Sequence, residues 1–69
     1  MVLAPHQQRV LDEKVELDLK IAKLMAFIEG NPILSSLSDM EKIHLDRQLD
    51  AMQLYSCILA ERIMAFESN

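Results

Sequence analysis

The chain has 69 residues, 51% of them hydrophobic and 26% charged, with a formal net charge of −4. That is one small domain with a marginal core; one cysteine and two well-separated histidines exclude a disulfide framework and a zinc pattern. An acidic balance argues against a general nucleic-acid binder, which carries a basic face, and the missing staples leave oligomerisation as the source of extra buried surface.

Pro5 sits where a helix can begin, because its missing N–H is one of the donors left over at that end. Nothing breaks the helix from there to Glu29. Gly30-Asn31-Pro32 then stops it, with Gly at the usual C-terminal position and Pro unable to continue. Asn31 is placed to cap a short turn from Pro32 through Ile33, Leu34 and Leu37. Ser38-Asp39-Met40-Glu41 reads as a capping box that opens a second helix, running from about Asp39 to about Glu67. Helices of about 25 and 29 residues extend about 38 and 43 Å. The short connection makes them antiparallel neighbours, so the expected fold is all-α: one helical hairpin, residues 1–69, assembling into a compact homo-oligomer.

In the first helix Val10, Leu17, Ile21, Leu24 and Ile28 form one seam, broken at Lys14. A second stripe, Leu11, Val15, Leu19, Ala22 and Ala26, runs beside it. In the second helix Leu45, Leu49, Met52, Leu59, Ile63 and Phe66 form a heptad seam with Ser56 as its polar interruption. Ile58, Met64 and Ala65 make the C-terminal half apolar on nearly every side. One partner helix covers one seam; further stripes need further partners.

The charges divide by whether they have a local partner. Arg9 is spaced to pair with Asp12 or Glu13, Lys42 with Asp46 and Lys20 with Glu16, as solvated surface pairs. Lys23 has no acidic neighbour one turn away. Arg62 has only Ile58, Leu59, Ala65 and Phe66 at three and four residues, so its guanidinium needs an acceptor outside its own helix. That acceptor is either an acidic side chain on another helix or subunit, or a phosphate, which Arg grips through a bidentate fork. Tyr55, two turns earlier on the same face, is either a core tyrosine or a stacking surface for a base.

At the front, Pro5-His6-Gln7-Gln8 presents backbone N–H groups and the positive end of a helix dipole, a potential anion site. His6 is either an exposed cap residue or a group that stacks on a base or donates to phosphate. His44 reads as structural, Cys57 as a small buried hydrophobe, and the five Met residues as core filler. No phosphate loop, carboxylate pair or metal motif supports an enzyme claim, and no cofactor is implied. No apolar run approaches the roughly 20 residues that span a bilayer, and Met1 to Pro5 lack the length and charge of a signal peptide. The expectation is a soluble, cytoplasmic, non-catalytic protein with no membrane partner.

The run Pro5-His6-Gln7-Gln8-Arg9-Val10, then Glu13, Lys20, Lys23-Leu24, Phe27-Ile28 and Asn31-Pro32, continues with Glu41, Leu45, Gln48, Met52, Tyr55, Leu59, Arg62-Ile63 and Phe66. Over nearly the whole chain this resembles the small phage-encoded helical proteins related to a crAss-like phage protein, and within them the anti-CBASS cyclic-oligonucleotide sponges. The resemblance implies a hexamer of helical hairpins in the cytoplasm of an infected bacterium. Such a hexamer sequesters the cyclic dinucleotides and cyclic trinucleotides that CBASS defence uses as alarm signals. In sponge members an aromatic residue near the first helix and a basic residue further along it serve the dinucleotide pocket. Here no Tyr, Phe or Trp precedes Phe27, and His6 is the nearest substitute.

Chemistry and resemblance together give two expected sites. Pro5, His6, Arg9, Lys20 and Lys23 form a cyclic dinucleotide pocket shared by two subunits; Tyr55, Ser56 and Arg62, repeated around a threefold, meet a cyclic trinucleotide. Two other classes stay open: a helical module that inhibits a host protein by helix-in-groove docking, and a helical-hairpin RNA-binding regulator. The −4 charge weighs against the latter, and no DNA or RNA polymer is the expected partner.

Overall fold

The computed structural model describes residues 2–66. Helix α1 (Pro5–Gly30, 26 residues) leads through a 3-10 turn (Pro32–Ser36) into α2 (Asp39–Phe66, 28 residues). The two long helices pack antiparallel into a rod of 49 × 15 × 15 Å. The expected hairpin is therefore present, with both boundaries within one residue; Glu67 lies outside the described residues.

Local chemistry sets each boundary. At the start of α1, the Ala4 carbonyl accepts from the Gln7 and Gln8 N–H groups at 2.9 and 3.0 Å. The Gln7 side-chain oxygen in turn accepts the Ala4 N–H at 2.9 Å. Ala4 has no side-chain acceptor, so this is half of a capping box.

The far end of α1 differs from expectation. Gly30 is its last helical residue and has no positive φ. The break falls on Asn31, which is extended at φ −81°, ψ 126°, because the ring of Pro32 disfavours a helical conformation in the residue before it. Asn31 then caps the turn, its side-chain oxygen accepting the Ile33 N–H at 2.9 Å. The Ser35 and Ser36 hydroxyls donate to the Pro32 and Ile33 carbonyls at 2.9 and 2.7 Å. The capping box of α2 closes as expected: the Glu41 N–H donates to Ser38 Oγ and the Ser38 N–H to Glu41 Oε2, both at 3.1 Å.

The core is thin. Val10, Leu17 and Leu59 are buried, Leu59 completely, and Ile21, Met52, Ile63 and Phe66 pack against them. These all come from the two seams. The second stripe stays outside, with Val15 at 61% and Leu19 at 58% exposed. On α2, Leu54, Ile58 and Met64 are also exposed. The chain exposes 5328 Å², against roughly 4,400 Å² for a compact monomer of this mass by the usual scaling. A rod of two helices buries only one side of each.

The same shortage overturns two expectations, the burial of the methionines and that of Cys57. Met25, Met40 and Met64 are exposed rather than core filler, and among the described methionines only Met52 packs against the core; Met1 lies outside the described residues. Cys57 is exposed. His44 is exposed too.

Candidate functional site

The polar interruptions of the two seams meet. Lys14 Nζ donates to Ser56 Oγ at 3.1 Å and to Asp18 Oδ2 at 2.7 Å, while Ser56 Oγ donates to Asp18 Oδ1 at 2.5 Å. The hydrogen bond from Lys14, followed by that from Ser56, holds the Asp18 carboxyl below its ordinary value of 3.8. Ser56, expected at a trinucleotide pocket, is thus half-buried and engaged between the helices as both donor and acceptor.

The other cations behave differently. Among the described residues Lys14–Asp18 is the only ion pair. The pairs expected for Arg9, Lys20 and Lys42 on their own helices do not close, which accords with the few tenths of a kcal/mol that such exposed pairs are worth. Arg9, Lys20, Lys23, Arg47 and Arg62 all stand exposed, with their donors available to an anion.

The antiparallel register fixes which of these groups are near one another. With Lys14 against Ser56, six residues toward the chain ends bring Arg62 to the level of Gln8. Pro5, His6 and Arg9 therefore share the open end of the hairpin with Arg62. Lys20 lies about 21 Å along the axis from His6, at 1.5 Å per residue, and Lys23 lies further still. One chain does not join its open end to these lysines, so a pocket using both draws them from two copies. Tyr55, also exposed, stands about 10 Å along α2 from Arg62.

The N-terminus of α1 offers less to an anion than the sequence suggested. Pro5 has no N–H, and those of Gln7 and Gln8 both donate to the Ala4 carbonyl. Among Pro5–Gln8 this leaves the His6 amide. The exposed side chains of His6, Arg9 and Arg62 add donors at this end.

The turn end holds a feature that sequence reasoning passed over. A hollow of about 310 Å³ is lined by Phe27, Leu37, Glu41, His44, Leu45 and Gln48. Beside it, a second of about 530 Å³ is lined by Lys23, Ala26, Phe27, Gly30, Asn31 and Pro32. Phe27 borders both. The available signal was the spacing of Lys23 and Phe27, one helical turn apart, which places a cation and an aromatic ring on one face.

Among the described residues no three His, Cys, Asp or Glu side chains gather as a metal site, and no helix is long and apolar enough to cross a membrane. The family model described as Sequestin matches residues 4–65, taking in both helices and the turn between them. The chain belongs to the Sequestin family. The name of that family denotes sequestration, the holding of a ligand or partner. The match spans every feature described above, the open end with its cations and the turn end with its hollows. Comparison with curated proteins and with solved structures finds no match in either.

Proposed function

We propose that this Sequestin-family protein binds and sequesters cyclic di- and trinucleotide signals of bacterial CBASS immunity, as a phage anti-defence sponge acting in the infected cell. The observation that carries this reading is the set of exposed cations without acidic partners, Arg9, Lys20, Lys23, Arg47 and Arg62, in a chain of net charge −4. Localised donors amid an acidic surface suit a compact phosphate ligand and disfavour a long polyanion. Family membership supplies the sequestering role, and the sequence resemblance supplies the ligand class. The action is capture without chemistry.

Assembly belongs to the same reading. The uncovered stripe of α1 and the exposed Leu54, Ile58 and Met64 of α2 are suited to packing against further copies, six in the proposed sponge. Copies related by symmetry bring the lysines of one hairpin toward the open end of another, one half-site from each. The deciding experiment is calorimetric titration with a panel of cyclic di- and trinucleotides beside linear controls. Tight, stoichiometric binding of cyclic ligands supports the proposal. No heat with any cyclic nucleotide refutes it. Binding to a host protein by the same apolar stripes then becomes the better account of them.

A further inference from the structure

The geometry points to an adenine-nucleotide site at the turn end of the hairpin, with the base in the Phe27–His44–Gln48 hollow and a phosphate at Lys23. The inference rests on the nucleotide-binding reading and assigns that ligand a place and a base. Phe27 lines both hollows, so a group seated in the smaller one is next to the space that Lys23 borders. The two hollows, about 310 and 530 Å³, lie within the range of small-molecule sites.

Their linings differ as the two halves of a nucleotide differ. The smaller one is lined by the apolar Phe27, Leu37 and Leu45 together with the polar Glu41, His44 and Gln48. An apolar lining with a few polar groups suits a flat heterocycle. The amide of Gln48 carries both a donor and an acceptor, the pair that meets the ring nitrogen and exocyclic amine of adenine. Within the chain that amide makes only a long contact from Nε2 to Met52 Sδ, 3.9 Å, which a base displaces at little cost. Glu41 in the same lining is held by its capping box, and its negative charge repels phosphate from this hollow. The phosphate is directed to the other one, where the ammonium of Lys23 is unpaired.

The test is NMR titration of the ¹⁵N-labelled full chain with cyclic di-adenosine monophosphate and, separately, cyclic di-uridine monophosphate. It is repeated for Gln48→Ala and Lys23→Ala, both at exposed positions, with circular dichroism and light scattering to show that fold and assembly persist. The expected result is shifts centred on Phe27, His44 and Gln48 and an adenine preference of tenfold or more. Gln48→Ala removes that preference, and Lys23→Ala weakens both ligands at least tenfold. Binding whose shifts centre on the open end, at His6, Arg9 and Arg62, overturns the turn-end site and leaves the sponge proposal standing. Equal affinity for the two ligands at the turn end overturns the assignment of adenine. Absence of binding by either ligand overturns the turn-end assignment, and failure with the entire cyclic panel overturns the sponge proposal as well.

Discussion

Lys14 Nζ lies 3.1 Å from Ser56 Oγ, so the one break in the seam of α1 sits against the one break in the seam of α2. A slip of one turn along either helix would set Lys14 or Ser56 against an apolar neighbour and leave its polar group without a partner. The pair, completed by Asp18, therefore marks one register among the several that two long apolar seams permit. This is the use of a polar position in a coiled-coil seam, specificity obtained at some cost in stability.

The first prediction follows from the carboxylate of that network. The bonds from Lys14 and Ser56 lower the Asp18 pKa in the folded state, so the ionised form stabilises the fold. That contribution is complete above the ordinary value of 3.8 and is lost as pH falls through the lowered folded value. Thermal melts of the natural chain and Asp18→Asn should differ near neutrality, with the natural chain higher. The two curves should converge in strong acid. Parallel curves across the whole range would show that the network carries no ionic component.

Leu59 and Leu54 give the second prediction, because they share a helix and a side-chain type but not an environment. Leu59 is wholly buried and Leu54 is 63% exposed. Leu59→Ala should cost about 2–5 kcal/mol, enough to unfold most of a chain whose total stability is of that order. Leu54→Ala should leave the isolated hairpin within about 0.5 kcal/mol. Urea denaturation at a concentration too low for assembly measures both. A comparable loss at Leu54 would mean that the face is covered even in the dilute chain.

Assembly is tested on the exposed face rather than in the seam. Ile63 packs against the hairpin's own core, so Ile63→Asp should unfold the molecule and leave the oligomer question unanswered. Leu54→Asp, on the exposed face, should instead leave a helical chain that no longer associates. Light scattering of the natural chain at micromolar concentration should give a mass above that of a dimer, six subunits in the proposed sponge. A stable, well-folded monomer under those conditions would falsify the assembly.

Much of the fold was legible because its determinants are local. Asn31 before Pro32, and Ser38 with Glu41 three residues on, each specify a boundary within one turn of chain. The seams were legible from spacing, and so were their interruptions at Lys14 and Ser56. That these two interruptions meet was not, since it depends on the register between helices, which no single-helix pattern contains. Burial of Cys57 and the methionines was misjudged for a related reason: periodicity ranks faces by apolarity, but two helices have only one interface to bury. The turn-end hollows draw Phe27 from α1 and His44 and Gln48 from α2, with Leu37 between, so no local motif announces them.

The unpaired cations carry the fourth prediction. Arg62 stands at the open end and Lys20 and Lys23 toward the turn, so substitutions should act separably. Arg62→Ala should weaken cyclic trinucleotides and spare cyclic dinucleotides; Lys20→Ala with Lys23→Ala should do the reverse. Each lost charge-assisted contact is worth about 1.5–3 kcal/mol, roughly tenfold to a hundredfold in affinity, and symmetry repeats the loss at a shared pocket. Calorimetry on variants of unchanged oligomeric state reads this directly. Equal losses for both ligands would mean that one pocket serves both.

The fifth prediction is that the ligand leaves the protein chemically unchanged. Cleaving a phosphodiester calls for a positioned acid and base beside an activated nucleophile, or for a metal that supplies one. Of the titratable groups at the proposed ligand positions, Glu41 closes the cap of α2, and the lysines and Arg62 are suited to gripping phosphate. His44 lines the turn-end hollow while His6 lies at the opposite end of the hairpin, so one chain does not pair them as acid and base. Groups that hold the ground state as tightly as the transition state give affinity without rate. A sponge must therefore work by stoichiometry, at least one pocket per signal molecule. After incubation with excess protein, heat denaturation should return the cyclic nucleotide in full yield and at unchanged mass by mass spectrometry. Linear products that accumulate over repeated turnovers, and that disappear when Lys23 and Arg62 are replaced by Ala, would make this protein an enzyme and end the sponge reading.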